Sequence, residues 1–591
     1  MDQSGKDRML RRIHPEIDLK FISEHPQKAE GIVNSLPLRD QMEMALERRG
    51  KERMELILLS KRAKALVHML PEQELYFTLK EFGEEETLPL LALANTRQLI
   101  YIFDIEFWKE NSLEPSQVFR WLDLLKQADE EQLRGWLKKA DPELLISILQ
   151  MALRIYVVDP DNLGAEPWRE KDLLTLDDQY YFEIIDDQHR PIIERSLVQL
   201  RDLEPEKFYR VMDEARMQLS SEVQDLAYRV RQGRLEDHGF YDFDDAIVIY
   251  NYLSPEKQRD LETHPERPAP VELPAARHAL TLAHKMPFLL TKALSELSPP
   301  ETEEFHHQFA RLANKAMIAD ALDLTILDNL RLCVEKVYGY IEIGLEHWSS
   351  GKLEAAVVLL KKQWLEHIFQ SGFSQVLDLS FRAQKIKNAA WFKFMGEPYH
   401  LFGELDGKRL AALLLKRPKF YHEPKKSDQA VEFKSMSDVR LALESIERAE
   451  TWSRLFIEIL EVDKEELKTL AEAFPFELTF KVALSQGLVM GVARGRPGFA
   501  PLRREELSKF IRLSMHPPEP PRQIYQNLKD EFLDWLMSRA MAKGRVKEEL
   551  VKELATAAIV NMEQELGIIK DPDHIDPRYI TSLVIAHEKG K

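Results

Sequence analysis

Apolar positions along this chain recur mostly at three- and four-residue spacing, the period of an amphipathic helix. The pattern is densest from Leu70 to Met151, where one kind of start signal keeps returning. It consists of a small or apolar residue, then an acid or proline, then glutamate and a further apolar residue. It stands at Leu70–Leu75, Leu113–Val118, Ala128–Leu133 and Ala140–Leu145. Proline in the first helical turn wastes no amide donor, and an acid there faces the positive helix end. Apolar stripes follow each start, as in Leu75, Leu79 and Phe82, or Val118, Leu122 and Leu125. A short helix of this kind cannot bury its stripe alone, so a solenoid-like stack is expected.

The same reading predicts an all-α, multidomain fold. Residues 1–62 form N-terminal helices, 63–158 the helical-repeat region, and 159–262 a further helical region. Residues 275–415 make a central helical domain and 430–591 a C-terminal one. Turn formers crowd Asp159–Pro167, and four prolines between Thr263 and Pro274 mark the clearest boundary. Lys416–Lys426 reads as a second, locally basic linker. The aromatic and β-branched run at 176–185 is the one candidate strand, giving at most a short β-hairpin. Tyr340, Gly344, Gly351, Ala356 and Leu360 sit at several tetratricopeptide positions and predict one tetratricopeptide-like hairpin. Gly487, Gly491 and Gly495 fall four apart, which predicts close helix packing.

Composition narrows the function classes. The 591 residues hold 100 acids and 82 bases, a formal net charge of −18. Such a surface repels nucleic-acid backbones and anionic membranes. One cysteine, Cys333, excludes an internal disulfide framework and a multi-thiolate metal site, and its apolar surroundings predict a buried small hydrophobe. The opening residues have no apolar signal core, and no apolar run approaches membrane-spanning length. A soluble, cytoplasmic protein without membrane insertion is expected.

Leu70–Tyr76, Asp104–Trp108, Arg234–Phe240 and Tyr338–Leu345 together resemble a large, mostly helical bacterial family of unknown function. That resemblance implies an identity without an activity. Residues 70–151 are also similar to the helical repeats of the magnesium transporter cytoplasmic N-domain and of the flagellar motor switch. No transporter pore follows them, so transport is not implied.

Catalytic motifs are largely missing. Gly403–Arg409 has the wrong glycine spacing for a phosphate cradle, and arginine stands where serine or threonine would bind magnesium. No zinc-protease motif and no nucleophile elbow occurs. Glu303/His306, Glu304/His307 and Glu397/His400 have the spacing of di-iron carboxylate bundles. Yet the stripe Phe305, Phe309, Leu312, Ala316 and Ala319 turns Glu304 and His307 toward solvent beside Arg311 and leaves His306 on a flank, and Pro398 places the last pair at a helix start or loop. Asp571, Asp573, His574 and Asp576 offer metal-type ligands but read better as a turn and a cap for a helix near Pro577. The switch from Arg229, Arg231 and Arg234 to Asp237, Asp242, Asp244 and Asp245 reads as a local ion-paired surface.

No catalytic residue, cofactor or metal is therefore assigned. The expected function is a non-enzymatic scaffold that binds a protein partner, part of its surface on Tyr76, Tyr101, Trp108, Trp121 and Trp136, because aromatic anchors dominate interfaces. The competing class is an enzyme or small-ligand sensor with a pocket in 275–415, where His284, Glu303, His306 and Glu342 are available.

Overall fold

The computed structural model describes residues 18–158, 173–264, 288–423, 429–544 and 546–586. Asp159–Pro167, His284 and most of Thr263–Pro274 lie outside the described residues. The described residues are 70% helical, far above the roughly one-third average of globular proteins. Among the described residues the largest sheet has three strands.

Two compact units emerge. The first comprises Met1–Asn251, Pro255–Ile341 and Trp348–Gln370; the second comprises Tyr252–Ser254, Glu342–His347 and Ser371–Lys591.

In the first unit the start signals act as their chemistry predicts. Helices begin at Glu72, Pro115, Glu130 and Pro142, one residue after Pro71, Glu114, Asp129 and Asp141. Asp129 accepts a hydrogen bond from the Glu131 amide at 3.0 Å, satisfying one of the orphan donors of a helix start. Between them, helix Thr96–Glu106 is opened by a reciprocal Asn95–Gln98 capping box, a different signal for the same job.

The ladder is covered on more than one side. Helix Thr96–Glu106 packs on helices Glu72–Phe82, Pro115–Ala128 and Glu130–Lys139, and also on the later helix Ser220–Asp237. Eight of its residues are therefore buried, from Gln98 to Glu106 around most of its circumference.

Strand structure exceeds a single hairpin near 176–185. Tyr180–Ile184 is the middle strand of an antiparallel sheet, flanked by Leu153–Val157 and Leu174–Thr175. Tyr180, Phe182 and Ile184 point inward in strict alternation. The ladder's last residues supply the outer strand: Leu153–Val157 continues directly from helix Pro142–Ala152, and its alternation was hidden behind the helical period before it.

The second unit is built around helix Phe480–Arg494, in which every residue from Val482 to Met490 is buried. It packs on helices Arg504–Ser514 and Glu548–Leu566. Its spaced glycines divide the work. A Cβ on Gly487 would touch the Phe499 ring at 3.4 Å, whereas Gly495 takes a left-handed φ of +74° to end the helix.

Lys416–Lys426 is not wholly a solvated linker. Phe420 and Tyr421 are buried, and Phe420 exchanges backbone hydrogen bonds of 2.7 and 2.8 Å with Val431. Those two rings give the segment an apolar hold that its basic flanks concealed. Among the described residues, no helix is long and apolar enough to cross a membrane.

Candidate functional site

The five ladder rings are not a surface. Tyr76, Tyr101, Trp108, Trp121 and Trp136 are all buried, none more than 6% exposed. Trp136 packs edge-on against Phe103 and Phe107 at 5.3 and 6.0 Å. Trp108 meets Tyr228 at 5.9 Å, and Tyr101 meets His238 at 4.7 Å. The expectation of exposed anchors assumed that each ladder helix buries one stripe. Helix Ser220–Asp237, packed against the Thr96 helix and bringing Tyr228 and the following His238, removes that premise.

Two of these rings share an internal polar partner. Glu106 accepts hydrogen bonds from the Tyr76 hydroxyl at 2.7 Å and from Trp121 Nε1 at 3.1 Å. Lys80 Nζ lies 2.9 Å from the same carboxylate and 2.8 Å from Glu84, which also pairs with Arg120. A chain of charges thus runs from buried Glu106 out to Arg120. Burial, reinforced by Glu106, pushes the Tyr76 hydroxyl well above its ordinary value. Burial disfavours the charge on Lys80, but Glu106 and Glu84 outweigh it and raise the ammonium.

Glu84 gives a pH prediction. Burial pulls its carboxyl up, and Lys80 and Arg120 together pull it further down, so it ends below the ordinary value of 4.5. A carboxylate lowered in the folded state stabilises fully above its unfolded value and loses that contribution as pH falls through the folded one. The melting temperature is expected to drop as pH falls below about 4.5, and Glu84→Gln should drop less steeply over that interval. Parallel pH profiles for the two proteins would contradict this.

The basic half of the Tyr228–Asp245 switch also reaches inward. Arg229 forms a surface pair with Asp225 at 2.8 Å, as a local ion-paired face should. Arg234, however, grips Asp104 through two 2.7 Å hydrogen bonds and reaches Asp141 at 2.7 Å. Arg231 is buried over the Trp108 ring and donates to the Asp104 carbonyl, and burial lowers its guanidinium to about 10. Gly239 follows at φ +86°, where a Cβ would meet the Arg311 Cα at 2.8 Å. Only glycine fits that approach.

The residues with metal-type spacing are engaged or scattered. Helix Pro299–Ala319 buries Phe305, Phe309, Leu312, Ala316 and Ala319 as its stripe requires. Glu304 accepts from Gln308 at 2.7 Å, and burial lowers the His307 imidazole. Glu397 precedes a short 3-10 turn, Tyr399–Phe402, that carries His400. Asp573 takes the Ser508 hydroxyl at 2.7 Å and the Arg512 guanidinium, His574 pairs with Asp571, and Asp576 caps the turn Pro577–Tyr579. Among the described residues, no group of three or more His, Cys, Asp or Glu is placed to hold a metal ion. Gly403 opens helix Glu404–Leu413 at φ +88°, and Gly407 packs against the Tyr399 carbonyl, so neither cradles a phosphate. Glu342 is fully buried, and Cys333 is buried with its thiol 3.3 Å from the Ala313 carbonyl.

The described surface does offer a recess that sequence reasoning missed. A groove of about 450 Å³ lies between helix Pro115–Ala128 and residues 188–192. Phe119, Leu124 and Ile192 line it as buried apolar residues, and Gln117, Arg120, Asp123, Gln188 and Glu85 line it as partly or fully exposed ones. Arg120 is paired with Glu84 and His189 with Asp186, but the side chains of Gln117, Gln188 and Glu85 have no hydrogen bond or ion pair among the described residues. The available signal was the polar face of the Pro115 helix, Ser116, Gln117, Arg120, Asp123 and Gln127, and it reads as an ordinary solvated face until the second wall is known.

Fold and site together define a helix-dominated protein whose motif residues lock its helices from inside. The chain belongs to a family of unknown function (DUF6178), whose model matches residues 30–586. No curated protein and no solved structure matches the chain. The likeness of residues 70–151 to magnesium transporter repeats therefore has no counterpart in these comparisons.

Proposed function

We propose that this protein is a non-enzymatic interaction module that binds a protein partner in the groove beside the Pro115 helix. One observation carries the reading: unengaged amide and carboxylate side chains, Gln117, Gln188 and Glu85, stand around an apolar floor. Amides supply both a donor and acceptors, the complement of an extended backbone. An apolar floor within a polar rim is the usual anatomy of a protein interface. The charged residues of the family-like motifs support the same division, since Glu74, Asp104, Glu106 and Arg234 are committed to internal contacts. A single buried cysteine suits a reducing interior, and we place the protein in the cytoplasm.

The test is quantitative affinity capture from the native host, comparing the wild type with Gln117→Arg/Gln188→Arg. Both side chains are at least partly exposed, so each change should alter stability by no more than about 0.5 kcal/mol. Specific partners should fall about tenfold in recovery at an unchanged melting temperature. Equal recovery by the double variant contradicts the groove as the binding site.

A further inference from the structure

The groove shares a wall with a second void. Helices Pro115–Ala128, Glu130–Lys139, Pro142–Ala152 and Arg190–Leu203 surround a cavity of about 30 Å³ lined almost entirely by apolar side chains. Phe119 lines both the cavity and the groove and is itself buried. On the groove side its ring lies 5.5 Å from His189, which Asp186 holds through a 2.7 Å contact to Nδ1. Small residues in the cavity wall, Ala152 and Ser196, leave open a space that interior packing would ordinarily fill. The Ser196 hydroxyl is shielded from solvent and has no hydrogen-bond partner among the described residues. A buried water needs two to four polar partners, and one hydroxyl does not provide them. The void is suited to hydrocarbon.

We propose that this cavity is an anchor site for one aliphatic side chain of a protein partner, admitted when the Phe119 ring swings out of the shared wall. The proposal rests on the groove reading above and names the chemistry that the groove selects. Displacing the ring adds its volume to the cavity and opens a space for a leucine-sized group. Glu85, exposed and unpaired among the described residues at the groove, favours a lysine or arginine beside that anchor, whereas Asp123 is already held by Gln127 and Lys126.

The test uses the full-length protein and two synthetic peptides, N-acetyl-Lys-Leu-Lys-amide and its alanine counterpart, with affinities read by calorimetry. The leucine peptide should bind about tenfold or more tightly, because three further carbons leave water. Ala152→Val narrows the cavity without touching the groove lining and should abolish that preference while leaving the alanine peptide's affinity unchanged. Ser196→Val serves the same purpose if the first variant does not fold. Equal affinities of the two peptides, no binding of either, or a leucine preference that survives both variants would each overturn the anchor site. Those outcomes leave the groove reading standing if Gln117→Arg/Gln188→Arg still loses its partners; failure of the groove reading itself appears as unchanged capture.

Discussion

Arg53→Ala is expected to destabilise the first unit by about 3–5 kcal/mol, the range for removing one member of a buried ion pair. Arg53 and Glu74 are both fully buried, 2.6 Å apart. The guanidinium also donates to the Ala45 and Arg48 carbonyls at 3.0 and 2.9 Å, to the Glu74 carbonyl at 3.1 Å and to the Thr78 hydroxyl at 3.0 Å. It thereby ties helices Leu38–Leu46, Gly50–Leu58 and Glu72–Phe82 together. Removing it takes from the buried Glu74 carboxylate a partner at 2.6 Å and from several carbonyls one of their donors. Arg53→Met/Glu74→Leu should recover much of the loss, because an apolar pair needs no partners there. Denaturant unfolding of the three proteins checks this; a loss below about 1 kcal/mol for Arg53→Ala would mean that water replaces the guanidinium freely.

Trp136→Ala should cost a similar amount, about 3–5 kcal/mol, through the cavity left behind. Trp136 is 2% exposed, packs edge-on to two phenylalanines and already borders the small cavity, which its removal would enlarge. A surface anchor would behave in the opposite way, weakening partner capture without loss of stability. Thermal unfolding of the variant distinguishes the two directly, and an unchanged melting temperature would contradict burial.

The helical class and the ladder's starts were legible in the sequence because proline and acids act locally, within one turn. Pro115 and Pro142 mark helix starts to the residue. The turn-and-cap reading of Asp571–Asp576 also rested on local chemistry, and Asp576 does cap Pro577–Tyr579. What depended on distant chain was not legible. Nothing near Tyr101 or Trp108 announces that helix Ser220–Asp237 will cover them, and nothing near Arg234 announces Asp104, 130 residues away. Glu74 sits inside a start signal that places acids at an exposed helix end, yet it faces inward because Arg53 is there to meet it. The same limit hid the groove. Gln117 and Arg120 are an ordinary polar face until residues 188–192 arrive opposite them.

The central claim is that partners bind at that groove, and site-specific photocrosslinking tests it most directly. A benzophenone amino acid placed at Gln117 or Gln188 in the native host should give a discrete higher-mass adduct that identifies the partner. The same probe at Met217, 69% exposed and outside the groove lining, should not. Adducts at Met217 with none at Gln117 or Gln188 would contradict the account.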